Sequence, residues 1–300
     1  MRRLSRRLAP LIVVLAGLAI LLYPTVSNYL IERNASRVIQ RYGEAVQAMS
    51  DEEAQAIMDA AHRYNTALAQ RAGAIPSDGT DDLSAPSEDP SALLDQYERT
   101  LNLDGDGMMG YISIPRIKVN LPIYHGVEEK VLQRAVGHLE SSSLPVGGPA
   151  THAVLSGHRG LPSAKLFTDL DRMREGDVFY IRVLKTTLAY QVDGIETVLP
   201  TQTESLAIRP GEDRVTLVTC TPYGINSHRL LVHAHAIPYT PDMADDVGEP
   251  GDFINIPLPY LLLIIALLIL ALILAIGTIM RRRGTVRGQG GRPKHERTQE

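Results

Sequence analysis

The stretch Arg214-Val-Thr-Leu-Val-Thr-Cys-Thr-Pro-Tyr-Gly224 decides the fold. Val215–Thr219 is a short β-rich run, and a Pro-Gly turn follows Cys220. The thiol therefore stands where a strand meets a loop, packed on one side and reachable on the other. It is the sole cysteine in 300 residues. A lone cysteine excludes an internal disulfide framework and any zinc site built on two cysteines.

Similar runs surround it. Upstream lie Gly110–Ile114, Val119–Tyr124, His152–Ser156, Val178–Leu184 and Leu188–Thr197; downstream lies Leu230–Ile237. Gly, Pro and Asp punctuate them, a pattern expected of a sandwich or barrel. Short helices are expected at Lys130–Ala135 and Ala164–Arg172. Ser36–Arg71 reads as helix, dividing near Ser50, whose followers Asp51, Glu52 and Glu53 suit a cap and first turn. Ala72–Pro90 is rich in Gly, Pro, Ser and Asp and reads as a loop; Leu93–Leu101 reads as a short helix. Asp104-Gly-Asp-Gly107 lacks the remaining ligands of a calcium loop and reads as a turn.

Charge is partitioned along the chain. The net charge of -4 hides +4 in residues 1–30, -13 in residues 31–280 and +5 in residues 281–300. A strongly basic nucleic-acid binder is excluded. Leu8–Val26 carries no charge over 19 positions, and Tyr260–Met280 none over 21. About 20 apolar residues suffice to cross a bilayer as a helix. Both are read as membrane segments, the first an uncleaved anchor or a signal segment, with Pro24 as a helix breaker near its outer end. Arg2, Arg3, Arg6 and Arg7 precede the first, and Arg281, Arg282 and Arg283 follow the second. Basic flanks mark the cytoplasmic side, so both termini are expected inside and residues 31–255 outside the plasma membrane. The basic tail then has anionic lipid as its neighbour.

Cysteine chemistry needs a thiolate, and a thiolate needs positive charge or a proton acceptor nearby. His158, in Leu-Ser-Gly-His-Arg-Gly, follows the strand His152–Ser156. Arg229 lies nine residues after Cys220 across a loop, so the two can share one end of adjacent strands. A guanidinium there can hold a developing oxyanion. His233 and His235 alternate and so share a strand face. The histidines lack metal-ligand spacing and no Gly-rich phosphate loop precedes a helix, so no metal or organic cofactor is implied. Taken singly, each of these residues also admits a structural role, with an inert buried cysteine in a surface protein.

In order, Leu-Ser-Gly-His158-Arg-Gly, Thr-Leu-Val-Thr-Cys220-Thr-Pro-Tyr-Gly and His-Arg229-Leu-Leu-Val resemble the sortase family, most closely its class C, pilus-assembling members. Met-Gly-Tyr-Ile-Ser-Ile-Pro-Arg-Ile, beginning at Met109, and Leu-Phe-Thr-Asp-Leu-Asp, Leu166–Asp171, carry the same resemblance. It implies a mainly β fold, a closed barrel of about eight strands with short helices, over residues 109–240. A helical region, 31–108, with a lid-like loop at 72–92 would precede it. A linker at 241–255, a membrane helix at 256–280 and a cytoplasmic tail at 281–300 would follow.

The resemblance further implies Cys220 as nucleophile, His158 as general acid and base, and Arg229 as stabiliser of substrate and oxyanion. The substrate would be an LPxTG-like sorting signal cut between Thr and Gly. The acceptor would be an amine, a pilin lysine or a peptidoglycan precursor, in a Gram-positive cell wall. Class C lids carry Asp-Pro-aromatic; here Asp89-Pro90-Ser91 keeps the Asp, expected to cap Arg229, and lacks the aromatic. The chain is not itself a sorted substrate by this pattern. No LPxTG precedes Tyr260–Met280, and Leu199-Pro-Thr-Gln-Thr203 is a near miss far from it.

Overall fold

The computed structural model describes residues 2–76 and 90–248, together with 265 and 267; for 2–15, 90 and 91 it describes the backbone alone. Two units divide the chain, Met1–Ile254 and Asn255–Glu300. In the second, the described residues Ile265 and Leu267 are helical.

Three helices open the first unit: α1 (Arg2–Ala48), α2 (Asp51–Arg71) and α3 (Pro90–Arg99). The division near Ser50 is as expected. Ser50 accepts from the Glu53 amide while the Glu53 carboxylate accepts from the Ser50 amide, a reciprocal cap that starts α2. Pro24 does not break α1, which runs through it; a proline forfeits one ladder bond, and the helical turns on both sides persist here. α3 begins three residues earlier than expected, at Pro90, whose fixed φ suits a first helical position. It stops before Leu101, which adopts φ 63°. Among the described residues no helix is long and apolar enough to cross a membrane. Tyr260–Met280 lies outside them except for 265 and 267, as do the side chains of the first half of Leu8–Val26.

Eight strands follow: β1 (Met108–Ile114), β2 (Val119–His125), β3 (Val136–His138), β4 (Thr151–Ser156), β5 (Val178–Val183), β6 (Thr186–Val198), β7 (Asp213–Thr221) and β8 (His228–Ile237). They close into a barrel in the order β1-β2-β3-β4-β7-β8-β6-β5. The pairs β2–β3 and β4–β7 are parallel and the rest antiparallel. The expected mainly β closed barrel is therefore present. Seven strands match the expected runs within a few residues. β3, three residues long, is too short to show an alternation. Helix α4 (Glu129–Leu132) is one turn where Lys130–Ala135 was expected. Ala164–Arg172 is not an α-helix: Leu166 takes φ 39°, and a single 3-10 turn, Leu170–Arg172, survives. The acidic turn Asp104–Gly107 is a turn as read, with the Asp106 carboxylate accepting from the Met108 amide.

Alternation along β7 sorts the two faces. Val215 and Leu217 point into the barrel, where they meet Leu155, Val232 and Ala234 in one apolar core. Thr216, Val218 and Cys220 point outward. α1 and the barrel share that core through Ala35, Ile39 and Tyr42. The Tyr42 hydroxyl donates to Met109 O and accepts from the Leu184 amide, tying α1 to β1 and to the end of β5.

Candidate active site

Register assembles the site. Cys220 on β7 pairs directly with Arg229 on β8. Directly opposed residues of an antiparallel pair project to one face with Cβ atoms about 4.5–5.5 Å apart. Nine residues of separation in sequence thus become one cross-strand neighbour. On the other side of β7, parallel β4 pairs Ser156 with Val218. Both chains then run on together: the Gly157 amide donates to Val218 O (3.0 Å), and Thr219 Oγ1 donates to Gly157 O (2.7 Å). His158 lies two residues past Ser156, as Cys220 lies two past Val218. Strands β7 and β8 and the segment that continues β4 therefore bring His158, Cys220 and Arg229 to one end of the barrel. All three are partly buried, and Cys220 is a free thiol.

Each side chain has its own support. Arg229 Nη1 donates to His228 O (3.1 Å) and Asn226 O (3.3 Å), so the β7–β8 loop orients the guanidinium. His158 Nε2 lies 3.3 Å from Glu129 Oε2 at the start of α4. The Glu129 carboxyl is held below its ordinary range by bonds from Gln133 and then His158. The backbone after His158 is tied down by the Phe167 amide, which donates to His158 O (3.1 Å). Gly157 is required at this junction: a Cβ there would stand 2.7 Å from the buried Phe167 ring. Gly160, at φ 78°, lies beneath the ring of Tyr223, so the loops after His158 and Cys220 touch. Arg159 Nη1 donates to Thr221 Oγ1 (3.3 Å) and its other amino group pairs with Asp171.

Of the four residues singled out from sequence, Cys220, His158 and Arg229 are gathered; Asp89 lies outside the described residues. His233 and His235 share a face as expected, and each pairs with its own carboxylate, Glu196 (3.0 Å) and Asp193 (3.1 Å). Among the described residues no group of three or more His, Cys, Asp or Glu is arranged to hold a metal. Sequence reading passed over Glu129, Thr219 and Gly157. Glu129 carries no local signal, since its partner lies 29 positions away. The glycine before His158 was the one visible hint of crowding.

A family model described as the sortase domain matches residues 112–237. Sortase A of Streptococcus agalactiae serotype III (strain NEM316) is 30% identical over 154 residues, half of this chain and 60% of that protein. The crystal structure of sortase C1 from Streptococcus agalactiae superposes with TM-score 0.61 at 45% identity, over 68% of this chain and all of that one. The X-ray structure of Clostridium perfringens sortase C with the C-terminal cell wall sorting motif gives TM-score 0.56 at 39% identity, over 68% and 99%. Against the curated relatives, then, the chain spans about 60% of their length.

Proposed function

The chain belongs to the sortase family, whose members are cysteine transpeptidases, and its solved neighbours include class C members; from that premise we propose that it is a membrane-anchored transpeptidase acting on LPxTG-like sorting signals. The observation that carries the reading is the register that pairs Cys220 with Arg229 and sets the segment after β4, which carries His158, beside the end of β7.

In this mechanism the Cys220 thiolate attacks the Thr carbonyl carbon of the signal. The C–S bond forms and the carbonyl electrons move to oxygen, where the Arg229 guanidinium can donate to the oxyanion. Collapse breaks the Thr–Gly C–N bond, and His158 gives its proton to the departing Gly amine. A thioester on Cys220 remains. The acceptor amine then attacks the thioester, His158 takes the amine proton, and the thiolate leaves as the new amide forms. Cys–His function of this kind draws on the thiolate–imidazolium form of the pair. We assign a pilin lysine as acceptor, on the likeness to class C structures. Leu8–Val26 and Tyr260–Met280 serve as membrane segments, with the catalytic unit outside the cell and anionic lipid beside the basic tail. Asp89, outside the described residues, is assigned as a lid residue.

The test is intact-mass analysis of the detergent-solubilised chain after incubation with an LPxTG peptide. Wild type should gain the mass of the acyl fragment, and Cys220→Ala should gain nothing. Added lysine amine should discharge the adduct as amide. An unmodified wild-type protein, also after removal of residues 77–89, would overturn the reading.

A further inference from the structure

Arg159 directly follows His158, Thr221 directly follows Cys220, and the mechanism above uses neither. Side chains alternate along β7, so Thr221 projects to the side opposite Cys220. There Arg159 Nη1 donates to Thr221 Oγ1 (3.3 Å), a bond between segments 62 positions apart. The other amino group of Arg159 pairs with Asp171, in the 3-10 turn Leu170–Arg172. One guanidinium thus joins the end of β7 to both ends of the loop that begins at His158.

His158 is bracketed by ties to β7. Before it, the Gly157 amide bonds Val218 O and Gly157 O accepts from Thr219 Oγ1; after it comes the Arg159–Thr221 bond. The loop beyond is closed on itself. The Phe167 amide returns to His158 O, the Gly160 amide donates to Thr168 Oγ1 (3.2 Å), and Asp169 pairs with Lys165 (2.9 Å) and Arg172 (3.3 Å). As a device for stability alone, Arg159 is a poor choice. Its side chain is 10% exposed, and its Nε hydrogen has no partner among the described residues. A buried guanidinium with an unused donor loses hydration that an apolar side chain of similar length never had. What the guanidinium supplies is a planar fork that reaches Thr221 and Asp171 together, which a lysine ammonium does not reproduce.

We propose that Arg159 is a positioning residue: by bridging Thr221 and Asp171 it fixes the spacing between the backbone that carries His158 and the backbone that carries Cys220. It touches no reacting atom. Its effect on rate rests on the transpeptidase reading, and its hold on the loop rests on the hydrogen bonds alone. Proton transfer between His158 and the departing or arriving amine depends on where the imidazole stands relative to the thioester carbon, so a looser spacing slows the chemistry and leaves peptide affinity in place.

Two measurements on the full chain in detergent test this. The first needs no substrate. In Arg159→Met and in Thr221→Val, amide hydrogen exchange at Phe167 and Gly157 should speed up about two- to tenfold, the factor of one lost hydrogen bond, while the amides of β5 keep wild-type rates. Unchanged exchange at both amides overturns the hold on the loop whatever the enzyme does. The second is single-turnover acylation by an LPxTG peptide, per folded molecule. Arg159→Met should keep or raise the urea midpoint. Its rate at saturating peptide should fall about ten- to a hundredfold, with the half-saturating concentration unchanged. Thr221→Val should fall alike, Thr221→Ser should match wild type, and the Arg159→Met, Thr221→Val double variant should be no slower than either single one. A wild-type rate per folded Arg159→Met molecule, at whatever urea midpoint, would make Arg159 a structural residue and overturn the assignment. So would Thr221→Ser as slow as Thr221→Val, or falls that multiply in the double variant. Absence of any thioacyl adduct in wild type would instead sink the transpeptidase reading, and the exchange rates would still decide whether Arg159 holds the loop.

Discussion

At Gly157 a single missing methyl group governs where His158 can stand. The built Cβ would lie 2.7 Å from the Phe167 ring, well inside contact distance, and Phe167 is fully buried. The ring has no free volume to yield, and its amide holds His158 O. Gly157→Ala should therefore cost about 1–3 kcal/mol of stability by overpacking. It should also lower the acylation rate more than the loss of folded protein accounts for, because the shift passes to His158. Urea unfolding and single-turnover acylation measure the two effects; an unchanged rate per folded molecule would detach Gly157 from the site. Cys220 itself is legible in sequence because strand, Cys and Pro-Gly turn are contiguous. Glu129 is illegible because its meeting with His158 depends on where α4 lies.

Between elements, one buried hydroxyl bonds α1 to two backbone groups of the barrel, beside the apolar core they share. Tyr42 serves two backbone groups, Met109 O at 3.0 Å and the Leu184 amide at 2.8 Å. Burial raises the phenol to about 12, so it stays protonated and able to donate. Tyr42→Phe leaves both groups buried without a partner and should cost about 1–3 kcal/mol. A urea midpoint equal to wild type would show that the helix is not held there. Helix capping at Ser50 was readable because a capping box spans four consecutive residues. The run from Ala164 to Arg172 misled because composition favours a helix while Leu166 adopts positive φ in the loop that packs Phe167 under Gly157. Strand β3 escaped notice because three residues carry no period.

Across the whole molecule, buried histidines set the response to acid. His138 is fully buried, and burial, opposed by its bond to Ser143 O, pulls it to about 4; His152 is pulled to about 4 as well. In the unfolded chain both would titrate near 6.5. Unfolding therefore takes up protons, so their contribution is complete above about pH 6.5 and is lost as pH falls through about 4. Each group should remove up to about 1.4 kcal/mol of stability per pH unit within that window. Asp213, whose carboxyl is raised by burial, acts in the opposite sense at the lower end. Urea midpoints at pH 7, 5.5 and 4.5 should fall steadily, and level midpoints between pH 7 and 5 would contradict the burial of these rings.

Local chemistry determined what the sequence could determine alone. Strand runs, the capped break at Ser50, the charge partition and the triad of motifs around His158, Cys220 and Arg229 all depend on neighbours within a few positions. The tertiary structure decided the rest. Parallel β4–β7 pairing, the closure of β5 on β1, and the hydrogen bonds that link His152 to Glu196 through Thr216 and His233 join residues from 17 to 71 positions apart. Such meetings are settled by barrel register, where a shift of one residue would turn Cys220 from the outer face to the core.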